Sequence, residues 1–264
     1  MVLLKNADTA LYRAKCDAGG SVQLFEPVHD EKARERRATE HDLRLALVRN
    51  EFFLVFQPVL DLARNQTTGC EALLRWRHPS RGVILPSEFI QIAEATELIH
   101  SIGEWVIREA CLAASNWPAE TKIAVNISAV QFRKAGIIPA IANSLAQAGV
   151  NPFRLEIEIT ESAILSESDF VLSTLHSLRG LGIKFALDDF GTGYASMGCL
   201  RKFPFDRVKI DRSFVRDMLL DRDCASIVKS VIELADDLGI GVTAEGVERP
   251  EQLSYLRSTT CSEA

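Results

Sequence analysis

The sequence predicts an α/β fold, a TIM-like (β/α) barrel on a mostly parallel sheet. Three observations carry that expectation. Seven short apolar runs alternate with amphipathic segments of helical spacing. Glycines stand where a helix should end before the next run. A polar residue recurs at or near the C-terminal end of successive runs.

The runs lie at 52–59, 68–76, 122–128, 154–160, 183–189, 206–210 and 240–245. Amphipathic stretches separate them, for example 88–117 and 226–239. Gly149, Gly182 and Gly239 sit shortly before strands, at expected helix C-termini. Strand alternating with helix implies right-handed parallel crossovers. A doubly wound open sheet is the rival architecture, but no GxGxxG follows the first run, so its dinucleotide-binding form loses support. Ahead of the runs, residues 29–50 are dense in charge, with Leu43, Ala46 and Leu47 forming a short apolar stripe. A linker helix docking by its C-terminal end is expected there. Residues 1–28 read as one helix, with Ala7, Leu11 and Ala14 on a face, then a turn and a short strand. The expected organisation is therefore 1–28, 29–50 and 51–264.

The formal net charge of −6 argues against a partner that is a nucleic-acid polymer, which needs a basic footprint. It leaves room for a small phosphate ligand held through metal ions. No apolar run approaches the roughly 20 residues that span a bilayer, and the first residues contain no secretory apolar region. The six cysteines form no CxxC pair, as expected for reduced thiols in a cytoplasmic protein.

Glu71 lies in the second run, Asn126 in the third and Glu158 in the fourth. Asp188 and Asp189 end the fifth, Lys209 is in the sixth and Glu245 ends the seventh. In a parallel barrel these ends share the face that hosts active sites. Five carboxylates, an amide and an ammonium would converge there. Solvated strand-end acids making local caps are the alternative for any one residue, but not for six successive strands. Clustered like charges are costly without a compensating cation. All-oxygen ligands favour Mg²⁺ or Mn²⁺, and a cluster this large suits two ions about 3.5–4 Å apart, as in phosphoester hydrolysis. Glu156 is left out of the site, on the expectation that it faces the other side of its strand.

The motifs E-A-L at 71–73 with Arg75, N-I-S at 126–128, E-I-T-E at 158–161, D-D-F-G-T-G at 188–193, K-I-D at 209–211 and E-G-V-E at 245–248 fall in one order and spacing. Together they resemble the EAL family of cyclic-di-GMP phosphodiesterases across about residues 40–257. The resemblance implies a hydrolase that opens cyclic-di-GMP to linear pGpG in bacterial second-messenger signalling. It implies that Glu71, Asn126, Glu158, Asp188 and Glu245 ligate metal, with Asp189 on a second ion. Glu71, Lys209 and Glu245 take the catalytic roles, Lys209 orienting the attacking water. Gln57, Leu73 and Arg75 contact substrate, Arg75 through a phosphate. Glu161 and Glu248 support the loop after Asp189, through which a homodimer is expected. Arg75 beside Trp76 also reads as a stacked surface pair, and Lys209 as a purely structural ion-pair partner.

Residues 1–28 resemble the C-terminal helix and strand of a GGDEF diguanylate cyclase domain, without its signature. In the EAL family an eighth strand follows the position where this sequence ends, so the barrel is expected to be incomplete at the C-terminus, with two unpaired edges. The alternative is a catalytically impaired EAL module that acts as a cyclic-di-GMP receptor or a dimerisation module.

Overall fold

The computed structural model describes residues 27–134, 136–161, 169–192, 200 and 202–264. The expected GGDEF-like segment lies almost wholly outside them, as do residues 193–199 of the loop after Asp189.

All seven runs are strands: β1 (Phe52–Asp61), β2 (Gln66–His78), β4 (Lys122–Asn126), β5 (Leu155–Thr160), β6 (Lys184–Phe190), β7 (Arg207–Ile210) and β8 (Gly241–Ala244). The three-residue β3 (Gly82–Ile84), not anticipated from the sequence, folds back on β2. The sheet runs β1-β2-β4-β5-β6-β7-β8 and is parallel from β2 onward. β1 is antiparallel to β2. Four residues join them, too few for a parallel crossover. Asp61 closes that turn by accepting the N–H groups of Ala63 (2.9 Å) and Arg64 (2.8 Å).

Helices cover the sheet: α1 (Pro27–Ala46), α2 (Pro86–Ala95), α3 (Leu98–Ser115), α4 (Ala129–Phe132), α5 (Ile137–Ala148), α6 (Asp169–Gly180), α7 (Arg212–Asp217), α8 (Arg222–Asp237) and α9 (Pro250–Arg257). β5 and β6 are buried along nearly their whole length, because a parallel strand is covered on both faces. Ile123, Leu155, Ile157, Phe185, Val208 and Ile210 form the centre of the core. Gly149 ends α5 in the left-handed conformation (φ 64°), as its position before a strand implied. No described helix is long and apolar enough to cross a membrane.

The expectation of two bare barrel edges is corrected. Among the described residues there is no eighth barrel strand, but Ser262–Ala264 run between β8 and β1. The Leu60 N–H donates to the Ala264 carbonyl (2.7 Å), and the Ala264 N–H returns to the Leu60 carbonyl (2.9 Å). On the other side the Ala244 N–H donates to the Glu263 carbonyl (2.9 Å), and the Glu263 N–H to the Val242 carbonyl (3.0 Å). These three residues pair with both edges, so backbone groups there are not left unsatisfied.

α1 lies against the outside of this frame through Leu43 and Ala46, both buried. A polar joint reinforces it. His78, at the end of β2, accepts at Nδ1 from the N–H groups of Ser80 (3.3 Å) and Arg81 (3.2 Å). Nε2 therefore carries the ring proton and faces Asp42 Oδ2 at 3.2 Å. Asp42→Ala leaves that buried donor without its partner. A loss of about 1–2 kcal/mol is expected from urea unfolding, and an unchanged midpoint would rule this joint out as a fastening of α1.

Candidate metal and active site

Lys209 is the centre of the C-terminal face. It is buried, and its Nζ lies 2.7 Å from Glu245 Oε1, 2.8 Å from Glu158 Oε2, 3.1 Å from Glu71 Oε2 and 3.2 Å from Asp188 Oδ1. Four carboxylates on four different strands or strand ends thus meet one ammonium. Asn126, at the tip of β4, donates through Nδ2 to Glu71 Oε1 at 2.7 Å. Its Cα pairs in register with that of Glu158.

The two successive aspartates need a local irregularity to share this site, since consecutive strand residues point to opposite faces. The β6–β7 register shifts between Leu187 and Phe190, and Asp189 has φ 55°. Aspartate tolerates the left-handed region better than most residues, and bulges of this kind re-aim side chains. As a result Asp188, Asp189 and Glu245 offer oxygens all within 4.8 Å of one another, a group that can hold a metal ion. The turn that follows is tied by Thr192, whose Oγ1 donates to the Asp189 carbonyl (2.8 Å). It is also tied by buried Glu161, whose Oε2 accepts from the Gly191 N–H (3.1 Å).

The electrostatics call for more positive charge. Burial pushes the Glu158 carboxyl well above the usual carboxylate range, with Glu71 and Asp188 adding to it against the pull of Lys209. Burial raises Glu245 to about 7, again opposed by Lys209 and helped by Asp188. Asp189 is raised by burial, then by Asp188 and Asp211. Burial alone would lower Lys209, but Glu158, Asp188, Glu71 and Glu245 together hold it well above its ordinary value. Its ammonium therefore stays protonated: four carboxylates share one positive charge. Asp188 Oδ1 is within ion-pairing distance of Lys209, yet it makes no hydrogen bond and is buried. The distance alone is not a satisfied contact, since an N–H must also point at the oxygen. Five carboxylates (Glu71, Glu158, Asp188, Asp189, Glu245) against one ammonium leave a formal −4, which two divalent cations balance. The donor set and the orphaned oxygen fit a hard divalent metal.

The β1–β2 hairpin supplies the neighbouring surface. Gln57 pairs with Glu71, Val55 with Leu73 and Phe53 with Arg75, so these side chains share one face of the hairpin. Gln57 is exposed; Leu73 and Arg75 are half-buried, and Arg75 Nη1 donates to the Leu74 carbonyl at 2.8 Å. Leu73 also lines a cavity of about 490 Å³ walled mainly by Ile90, Ile102, Val106 and Ile127. Asn126 and Glu158 border the same cavity, so apolar space adjoins the acidic cluster.

A family model described as "EAL domain" matches residues 40–264. This chain belongs to the EAL domain family. Among curated relatives, the bifunctional diguanylate cyclase/cyclic di-GMP phosphodiesterase MucR of Pseudomonas aeruginosa is 39% identical over 264 residues, covering 98% of this chain and 38% of the relative. The cyclic di-GMP phosphodiesterase NbdA of the same organism is 38% identical over 266 residues, covering 98% and 34%. The chain thus spans little more than a third of these relatives. Among solved structures, the PaMucR phosphodiesterase in complex with c-di-GMP superposes with a TM-score of 0.82 at 40% identity, covering 86% of this chain and 93% of that one.

Within this EAL domain the structure brings together all seven residues expected from the sequence, with Glu71 inside β2 rather than at its end. Glu248 differs: its side chain is exposed and makes no hydrogen bond or ion pair among the described residues. Its turn is held instead by Gln252, whose Oε1 accepts from the N–H groups of Glu248 and Arg249, both at 2.9 Å. Glu156 is a correction of another kind. Residues two apart share a strand face, so Glu156 points inward with Glu158, one layer lower. There it pairs with Arg207 Nε (3.2 Å), whose Nη1 reaches Glu263 at 2.7 Å and Thr243 at 3.1 Å. Burial would lower the Arg207 guanidinium, but Glu156 and Glu263 raise it above its ordinary value. Period-2 alternation puts Glu156 on the inward face, but does not give the partners it meets there.

Gly246 sets the direction of Glu245. It has φ 70°, and a Cβ there would come within 2.7 Å of Arg212 Cβ. Gly246→Ala is expected to cost about 1–2 kcal/mol, by thermal unfolding, for the left-handed backbone alone. An unchanged melting temperature would show that the turn relaxes without penalty.

Proposed function

We propose that this EAL domain is a divalent-metal-dependent phosphodiesterase that hydrolyses cyclic-di-GMP to linear pGpG. The observation that carries this reading is the single Lys209 ammonium surrounded by Glu71, Glu158, Asp188 and Glu245. It is supported by the named activity of MucR and NbdA and by similarity to a c-di-GMP complex.

In this reading Glu71, Asn126, Glu158, Asp188 and Glu245 hold Mg²⁺ or Mn²⁺, with Asp189 on a second ion. Two bound ions would polarise the phosphoryl oxygens and lower the pKa of water at the site. Lys209, whose ammonium the surrounding carboxylates favour, would orient or help activate the attacking water. Arg75 matches a phosphate with its planar fork. Gln57 and Leu73 contact the nucleotide from the hairpin face. Glu161 fixes the turn that presents Asp189. A homodimer contact through the loop after Asp189 belongs to the same proposal; a strictly monomeric mass in solution would contradict it.

The test is chromatography of nucleotides after incubating the chain with cyclic-di-GMP and Mn²⁺, with Glu71→Ala as control. Linear pGpG from the wild type alone is expected. Tight binding without product would instead support a receptor.

A further inference from the structure

We propose that Glu94, on α2, is a positioning residue for Asn126. The inference rests on the reading of Asn126 as a metal ligand and names what holds it in place.

Asn126 ends β4, and the chain bends over Ile127 and Ser128 into α4. α4 is a single turn of four residues, too short to stabilise its own start, because helix nucleation is unfavourable. The bend must be held from outside. Ser128 Oγ accepts from the Val130 N–H (3.3 Å) and donates to Glu94 Oε1 at 2.5 Å. That is the short distance expected of a hydroxyl on a carboxylate. The Ser128 N–H donates to Gln131 Oε1 (3.0 Å), completing a capping box. Gln131 is buried against Gly103 of α3, where an added Cβ would fall 1.8 Å from Gln131 Nε2. On the strand side the Ile127 N–H donates to the Glu158 carbonyl (3.0 Å).

Asn126 is exposed, and among the described residues its side chain has one hydrogen bond, to Glu71. Its direction therefore depends on the backbone two residues on. Glu94 is the charged contact that ties this backbone to the helical layer. Glu94 also lines the apolar cavity beside Asn126 and Glu158, so losing it loosens the bend at the edge of the site itself.

The test compares wild type, Glu94→Ala, Glu94→Gln and Ser128→Ala. Mn²⁺ affinity is measured without nucleotide, by the paramagnetic resonance of free Mn²⁺, alongside kcat, KM and thermal unfolding. Glu94→Ala is expected to weaken Mn²⁺ binding and lower kcat by about 10-fold each, the size of effect seen when a ligand loses its support. KM should stay unchanged. Glutamine keeps an acceptor for the Ser128 hydroxyl, so Glu94→Gln should recover most of the Mn²⁺ affinity. Ser128→Ala should reproduce Glu94→Ala, and the double variant should be no worse than either single one. Wild-type Mn²⁺ affinity in Glu94→Ala overturns the proposal. So does a full loss in Glu94→Gln with an unchanged melting temperature. Should Glu94→Ala fail to fold, Glu94→Gln and Ser128→Ala decide alone. A wild type that binds Mn²⁺ but yields no pGpG removes the proposed function, while the comparison of affinities still judges Glu94.

Discussion

Replacing Lys209 with methionine is expected to abolish turnover of cyclic-di-GMP and to destabilise the metal-free chain by about 3–5 kcal/mol. The reason is the charge count at the C-terminal face. Among the described residues Lys209 is the one cation that touches Glu71, Glu158, Asp188 and Glu245, and it is buried. Without it the carboxylates must take up protons or repel one another, and either route costs folding free energy. Mn²⁺ should restore much of the lost stability, because it supplies the missing charge and binds only the folded site. It should not restore turnover, since no ammonium remains to orient water. Urea unfolding with and without a chelator measures the first part, and product formation the second. A variant as stable as wild type in chelator would contradict the idea that Lys209 relieves the cluster.

Arg207→Met is the matching experiment one layer below. Arg207 is buried between Glu156 and Glu263, and Glu263 in turn reaches Thr68 Oγ1 at 3.1 Å. The contacts tie β5, β7, β8 and the segment Ser262–Ala264 together where the ring closes on β1. Removing the guanidinium leaves two buried carboxylates, so a loss of about 3–5 kcal/mol is again expected. Here Mn²⁺ should stabilise the variant no more than it stabilises wild type, so the deficit stays, because the oxygens that can bind metal lie in the layer above. If Mn²⁺ restored Arg207→Met as fully as Lys209→Met, the separation into a metal layer and a closing layer would be wrong.

The strand frame was legible because its signal is local. Parallel strands covered on both faces read as apolar runs, and polar residues at their ends stand out against them. Glu71, Asn126, Glu158, Lys209 and Glu245 were found that way. The backbone irregularity at Asp189 was not legible, since φ 55° is set by the β6–β7 register and the Glu161 tie. The antiparallel start is legible in the Asp61 to Asn65 segment: it is a short turn, and a short turn reverses direction. Arg207 with Glu156 and Glu263 was out of reach of local reading. Its members are 51 and 56 positions apart, and only barrel closure brings them together. Ser128 with Glu94 is hidden by distance along the chain too, 34 positions apart across helix α3 and strand β4.

The carboxylates gathered on Lys209 are proposed to form a metal-dependent hydrolytic centre. Its most direct test is product formation by chain stripped with chelator, before and after Mn²⁺ is returned. The expected result is no linear pGpG from the stripped chain and restored production once Mn²⁺ is added. Undiminished hydrolysis by the stripped chain, or no hydrolysis with Mn²⁺ present, would contradict it.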